Sequence, residues 1–558
     1  YFLPMNYTPE RIMPLQGISK NNLKSQVANN NSIYSDSRLI YNQSFNNHNL
    51  NAVAGFRYSY NSYEVDFIDE HNSGSNSNTM ITGAYEFLTV DGFDVESKYI
   101  SNYLGVDYDF QKKYLVSAAF AMDASSRFGK QARSGISLFG ASWGLFPSIN
   151  GAWVFSSEEF MRPVSMINYG KLRLGYGITG NDAIPDYEAQ TYLTSTRFTN
   201  RANGLRLAHF ENEEIQWEQT RRANAGLDLE MFRNIVNISL DVYTGTTDNL
   251  LTLIKYPEVL GSGYYWYNNG SMINQGFEAS LNLKMLNLKN FIWNLGLSAG
   301  HYNNKITSLQ NPEGYFVTPV FGSEVITQKG QPLGLFYGYK SKGVISTQDE
   351  ADALGLKQIA KSGGYDYFMA GDVQFDDVNK DGIIDERDKQ VIGNPHPKLY
   401  GAINSNMKLH RFDLSLLFTY SYGNDVYNYH RRMLETGSDF SNQSKARLNR
   451  WTADGQQTSQ PQAIYGDPMG NGRFSDRWIE DGSYLKLKNV KLSYVFAYKN
   501  DYIRGINIWA SVNDVYTLTN YLGRDPEFSI SSSPFYQGID AGFMPNMRAY
   551  YLGLRIDF

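Results

Sequence analysis

The stretch Ala549-Tyr-Tyr-Leu-Gly-Leu-Arg-Ile-Asp-Phe558 decides the fold. Successive side chains of an extended chain point to opposite faces. Tyr550, Leu552, Leu554, Ile556 and Phe558 therefore share one face, and Tyr551, Gly553, Arg555 and Asp557 share the other. An apolar row backed by Gly, Arg and Asp suits a strand standing between lipid and water, whereas a soluble sandwich would bury its apolar row against a second sheet. The period recurs upstream. Phe412, Leu414, Leu416, Phe418, Tyr420 and Tyr422 alternate with Asp413, Ser415, Leu417, Thr419, Ser421 and Gly423, and only Leu417 interrupts the polar row. Phe277, Ala279, Leu281, Leu283 and Met285 alternate with Glu278, Ser280, Asn282 and Lys284. Repeated segments of about ten residues with a two-residue period are the mark of an all-β, antiparallel transmembrane barrel.

Composition agrees. The mean hydropathy of −0.43 reflects a chain with no run of about eighteen apolar residues, so no helix spans a bilayer and membrane character can hide only in alternation. Aromatic residues reach 15 %, a proportion that suits two interfacial girdles. The net charge of −6 argues against a nucleic-acid footprint, and the absence of cysteine excludes disulfides and thiolate metal sites.

The chain opens Tyr1-Phe-Leu-Pro, without an initiator Met, a basic stretch or an apolar signal core, so the reading expects a segment before residue 1. Counting candidate strands backwards from Phe558 gives about fifteen, the earliest near 35–47, whereas bacterial single-chain barrels use even numbers. Residues 35–558 are thus expected to be the C-terminal part of a barrel and residues 1–34 an extracellular loop, where proteolytic nicking concentrates. Connections at His410-Arg411, Asn287–Asn290 and Arg233-Asn234 are tight, while those near 182–218, 310–396 and 424–482 are long. Short turns belong to the periplasm and long loops to the outside, which places the chain's end on the periplasmic side.

The long connection 310–396 holds an EF-hand-type calcium loop, Asp377-Val-Asn-Lys-Asp-Gly-Ile-Ile-Asp-Glu-Arg-Asp388. Asp377, Asn379, Asp381, Asp385 and Asp388 stand at the oxygen-ligand positions, Ile383 offers its carbonyl, and Gly382 stands at the sharp turn. Asp388 replaces the usual Glu at the twelfth position and must reach further to bind through both oxygens. A structural calcium ion is expected, with a metal-free acidic turn as the alternative.

No H-E-x-x-H, G-x-S-x-G or phosphate-binding glycine motif occurs, and the seven histidines are scattered, so no catalytic residues are assigned. The cluster Tyr264-Tyr265-Trp266-Tyr267 could stack sugars or peptides at a barrel mouth; interfacial or loop packing is the favoured alternative.

Several segments together resemble the SusC/RagA-type TonB-dependent transporters of Bacteroidota. They are Ser126-Arg-Phe-Gly129 with Phe146-Pro-Ser148 and Ala152-Trp153; Lys171 to Asn181; and Trp217-Glu218 with Asn224, Gly226 and Asp228. Asn274 to Glu278, Gly371-Asp372, Ile392 to Pro395, Asp481 to Asn489 and Thr519 to Glu527 complete the set. Trp153 and Trp217 read as interface anchors. The resemblance implies a barrel of about 22 strands, of which some fifteen lie here. It also implies an N-terminal plug with a TonB-recruiting box, and import of a nutrient too large for porins. It further implies a SusD-like surface lipoprotein seated on the outer loops, in a dimer of transporter and lid pairs within outer-membrane lipid. The length of the outer loops and aromatics expected to be exposed on them, Tyr264, Trp266, Phe528 and Tyr536, favour such a docked partner. Three functions stay open at this stage: import of an oligosaccharide or peptide, a same-family barrel retained as a structural or assembly partner, and an outer-membrane enzyme.

Overall fold

The computed structural model describes every residue except 1, 14–16, 78, 81–86, 134, 199–201, 256–263, 312, 497–501, 529, 531–532 and 558, so Tyr1 and Phe558 lie outside the described residues. Among the described residues, fifteen strands of nine or more residues run from Asn22–Phe45 to Ala549–Asp557, in line with the count from alternation. The chain divides into two compact units.

The first unit comprises Tyr1–Ala152, Gly175–Arg222 and Thr247–Asn269. Its Asn22–Phe45, His48–His71 and Phe87–Phe110 strands, each of 24 residues, pair antiparallel in unbroken register from Asn22↔His71 to Phe45↔His48 and from His48↔Phe110 to His71↔Phe87. At about 3.3 Å per residue each spans about 80 Å, more than twice a hydrocarbon core of about 30 Å. Asn46 turns the first hairpin with φ +51, the left-handed conformation a tight hairpin needs. Residues 22–34, expected as loop, are therefore the far half of a long ribbon, and Phe2–Thr8 pairs with them through Phe2↔Val27 to Thr8↔Asn22. Alternation is weak there, since strands of 24 residues exceed what a hydrocarbon core requires and the excess length need not present an apolar face.

The second unit comprises Trp153–Leu174, Ala223–Thr246 and Gly270–Phe558. Seven of its strands, from Ser271–Leu288 through Phe291–Ser308, Leu399–Leu409, Phe412–Tyr422, Tyr484–Phe496 and Gly505–Thr519 to Ala549–Asp557, form one antiparallel ladder in sequence order. The register aligns their apolar rows. Leu281 faces Leu297, Leu297 faces Ile403 and Ile403 faces Phe418; at the other end Leu414 faces Leu492, Leu492 faces Ala510 and Ala510 faces Leu552. The opposite face is polar across the same strands, with Asn282–Gly296–Asn404 and Ser280–Ser298–Ala402 in rows. Leu417, the lone apolar residue of its polar row, lies between Asn404 and Asn489. On the apolar face Leu552 is 81 % and Leu554 61 % exposed, the state of side chains that meet lipid and not a protein core.

The long connections of this unit fold on each other. Tyr315–Val320, Ser323–Gln328, Leu335–Gly338 and Gln390–Gly393 form a four-stranded sheet. Asp425–Asn428 pairs antiparallel with Ile479–Asp481 and parallel with Ile539–Asp540. Two apolar cores result. One gathers Val325, Phe336, Tyr427, Phe474, Trp478 and Ile539; the other gathers Tyr339, Ile345, Phe368, Val373, Phe375 and Ile384. Asp372 is fully buried and accepts hydrogen bonds from the Met369 amide, Gln462 Nε2 at 2.9 Å and Asn471 Nδ2 at 2.8 Å, stitching the 310–396 connection to the 424–482 connection. Gly371 adopts φ +89, and a Cβ there would stand 2.5 Å from the Trp451 ring, so both its conformation and its lack of a side chain serve this junction.

Candidate functional site

The acidic loop 377–388 hangs from the second core by Ile384, which is buried and donates its amide to the Lys357 carbonyl, while the Gly382 carbonyl accepts from Lys357. Gly382 takes φ +75, as the sharp-turn position demands. The side-chain oxygens, however, are turned onto the loop's own backbone. Asp377 accepts from the Gly382 amide at 2.7 Å, Asn379 from Asp381 at 3.0 Å and Asp381 from Ile383 at 2.9 Å. Asp388, fully buried, accepts from the amides of Val378 at 2.9 Å and Asp385 at 2.8 Å. Arg387 reaches across the loop, with Nη2 2.7 Å from Asp381 and 2.8 Å from Asp385. Its hydrogen bonds hold the Asp385 carboxyl below the usual carboxylate range, and its own pKa is raised in return. Among the described residues, no three His, Cys, Asp or Glu groups are gathered to hold an ion. The spacing thus yields a loop of the right length and turn, closed on its own guanidinium.

The aromatic cluster lies in the first unit, on strand Tyr264–Asn268 paired with Leu251–Lys255. Trp266 packs against the apolar cluster of Phe128, Phe146, Ile184, Ile215, Trp217 and Leu251, and its carbonyl accepts from Asn212 at 2.8 Å. Tyr265 and Tyr267 stand together with ring centroids 6.1 Å apart, while the Tyr264 side chain lies outside the described residues. Trp217, expected at a membrane interface, is instead 2 % exposed, its ring centroid 4.7 Å from Phe128 and 5.2 Å from Phe146. Phe528, Tyr536 and Trp266 are half-buried, so the loop aromatics expected at the surface pack inward. Sequence could not separate the two cases, because a girdle tryptophan and a loop-core tryptophan look alike without long-range contacts.

The polar face of the second unit carries groups that alternation located without ranking. Near the end that carries the long connections, Lys486 is 3 % exposed among Asp514 at 3.2 Å, Asp525 at 3.0 Å and Glu527 at 2.9 Å; Lys488 pairs with Asp514 at 3.0 Å and Glu527 at 2.7 Å. This cluster ties the 520–548 connection to the wall. At the same level Tyr302, Tyr400 and Glu278 share the polar face. Arg173 grips Asp228 and Asp241, each at 2.9 Å.

Residues 13–390 match the family described as TonB dependent receptor-like, beta-barrel. The chain is 28 % identical over 93 % of its length to TonB-dependent receptor P39 of Formosa agariphila, covering 52 % of that protein. It is also 28 % identical over 82 % of its length to TonB-dependent receptor SusC of Bacteroides thetaiotaomicron, covering 43 % of it. The structure of the RagAB peptide transporter superposes with a TM-score of 0.78 at 22 % identity, over 97 % of this chain and 57 % of that one, a likeness of fold. The chain spans about half the length of the curated relatives it matches.

Proposed function

Because this chain belongs to the TonB-dependent receptor β-barrel family and is a SusC-like protein of the bacterial outer membrane, we propose that it is the wall and outer-loop part of an active importer of a large nutrient, an oligosaccharide or a peptide. The observation that carries this reading is the polar face that continues across seven strands of the second unit behind a mainly apolar face, interrupted at His301 and Ser405. Such a wall offers a wet lining and leaves chemistry to none of its residues. The family is one of transporters, in line with the lack of a catalytic motif.

The proposal extends to what relatives twice as long would supply. A plug and a TonB-contacting box lie outside these residues, and a SusD-like lipoprotein sits on the loop cores as a lid, in a dimer of transporter and lid pairs. A loop body with its own cores is far larger than a turn requires and suits a partner that must dock and release. The decisive experiment deletes the TonB box from the whole transporter and follows uptake. Loss of uptake supports import; growth on every candidate nutrient after the deletion overturns it in favour of a structural partner. Absence of any lipoprotein on purification in mild detergent overturns the lid.

We further propose that Ca²⁺ enters the loop of Asp377, Asn379, Asp381, Ile383, Asp385 and Asp388 by displacing Arg387. The complete oxygen spacing and the pre-set turn at Gly382 support this. The ion would be structural, since the loop hangs from a core outside the wall. Arg387→Ala should tighten calcium binding, because the ion no longer competes with a guanidinium, and chelation should raise the loop's protease sensitivity. No ordered ion at ligand distances near ~2.3–2.6 Å in millimolar calcium, in the wild type and in Arg387→Ala alike, overturns it.

A further inference from the structure

From three tyrosines and a carboxylate on the polar face of the wall, we propose a carbohydrate-stacking platform. Its floor is Tyr400. Tyr400 pairs directly with Gly300, and Gly300 pairs in turn with Glu278. A Cβ built on Gly300 would lie 2.7, 2.9 and 3.0 Å from Tyr400 Cζ, Oη and Cε2. Two ring carbons and the phenol oxygen nearly equidistant from one point mean that the ring lies flat across the glycine, with its second face turned away from the wall. Gly300 is thus the residue that lets an aromatic ring lie down here, since any side chain would lift it.

Tyr302 supplies the upright side. Its ring centroid is 6.0 Å from that of Tyr400 with planes 63° apart. Its hydroxyl is fixed from above: His396 Nε2 lies 2.7 Å from the Leu333 carbonyl, which only accepts, so Nε2 carries the proton and Nδ1 accepts from Tyr302 Oη at 3.2 Å. Gln537 Nε2 donates to the same hydroxyl at 3.3 Å. Burial holds the His396 pKa below its ordinary value, which keeps the ring neutral as this arrangement requires. Tyr302 pairs with Gly276, where a Cβ would meet the His301 carbonyl oxygen at 2.3 Å and Tyr243 Oη at 2.6 Å and Cζ at 2.7 Å, so the phenol end of a third tyrosine reaches this row. Glu278 is exposed beside the floor.

A flat aromatic face, an upright aromatic side and one carboxylate acceptor match a neutral pyranose. Its C–H face packs on the ring, and its hydroxyls donate to the carboxylate. The same carboxylate repels the C-terminal and acidic groups of peptides. Short turns place the periplasmic ends at Asn290 and His410, so the platform stands at the extracellular end of the wall, where Pro395 and Gln537 descend from the loops. This inference rests on the import reading and narrows its substrate to neutral oligosaccharides.

The test is calorimetric binding to the purified whole transporter in detergent, with a size-graded panel of neutral gluco-, manno- and galacto-oligosaccharides and a size-matched panel of peptides. At least one oligosaccharide series should bind. Tyr400→Ala and Gly300→Ala should each weaken it about tenfold. Tyr400→Phe, which keeps the ring, and Tyr420→Ala, on the apolar face, should leave it unchanged. Heat-modifiable gel mobility reports whether each variant is folded. The proposal is overturned if no oligosaccharide binds, if binding ignores both Tyr400→Ala and Gly300→Ala, or if peptides bind through Tyr400 instead. Binding needs no energy source, so uptake that survives deletion of the TonB box, with binding retained, would contradict import and leave the platform standing.

Discussion

Trp478→Ala should loosen the loop body and leave the wall unchanged. Trp478 is fully buried in the core of Phe336, Tyr427, Phe474 and Ile539. Its indole Nε1 donates to the Arg473 carbonyl at 3.0 Å, and Arg477 and Arg431 lie 4.9 and 5.6 Å from its ring. Truncating a buried tryptophan costs about 3–5 kcal/mol in transfer and cavity terms, and the orphaned carbonyl adds about 1 kcal/mol or more. Against a domain stability of about 5–15 kcal/mol, a loss near 4 kcal/mol raises local opening about a thousandfold. Hydrogen exchange read by mass spectrometry should show that acceleration in peptides covering 320–345, 424–430 and 474–481. Peptides at 277–286 and 412–420, held by the continuous ladder, should be unchanged. Equal acceleration of wall and loops, or none in either, would refute the reading of the connections as a separately cored body.

Leu552→Arg, at a position 81 % exposed on the apolar face, should cost about 2–4 kcal/mol in folding titrations into lipid vesicles, whereas Ser298→Arg on the polar face should cost little. In the 182–218 connection burial raises Glu188 to about 7 and lowers His209, whose Nε2 lies 2.8 Å from the carboxyl, so a neutral acid facing a neutral imidazole is the favoured state. A raised carboxyl pKa gives stability that is full below the unfolded value near 4.5 and lost as pH rises through about 7. Exchange protection of this connection should therefore fall across that window, and Glu188→Gln should flatten the fall. Gly371→Ala should loosen the junction of the two long connections, seen as faster exchange at Asp372 and Gln462, because φ +89 and the Trp451 ring both oppose a side chain.

The wall was legible because a two-residue period is written in neighbouring residues. Phe277 to Met285, Phe412 to Tyr422 and Tyr550 to Ile556 present the faces their alternation assigns. The loop body was not legible, because its contacts join residues far apart in the chain: Asp372 meets Asn471, and Phe336 shares a core with Ile539. The same distance hid Trp217, which reads as a girdle residue until Phe128 and Phe146 are seen to enclose it. Spacing found every oxygen of the 377–388 loop yet could not show that Arg387 turns back onto two of them. Tyr400 over Gly300 depends on cross-strand register, which a single strand's pattern does not contain.

The claim on which import rests is that one face of this wall meets lipid and the other lines an aqueous path. The chain contains no cysteine, so single cysteines at positions 277 to 284 of the whole transporter, probed in intact outer membranes with a membrane-impermeant thiol reagent, read each face without background. The account predicts labelling at 278, 280, 282 and 284 and protection at 277, 279, 281 and 283, following the register of this strand on its neighbour. Uniform labelling, uniform protection or the opposite alternation would contradict it.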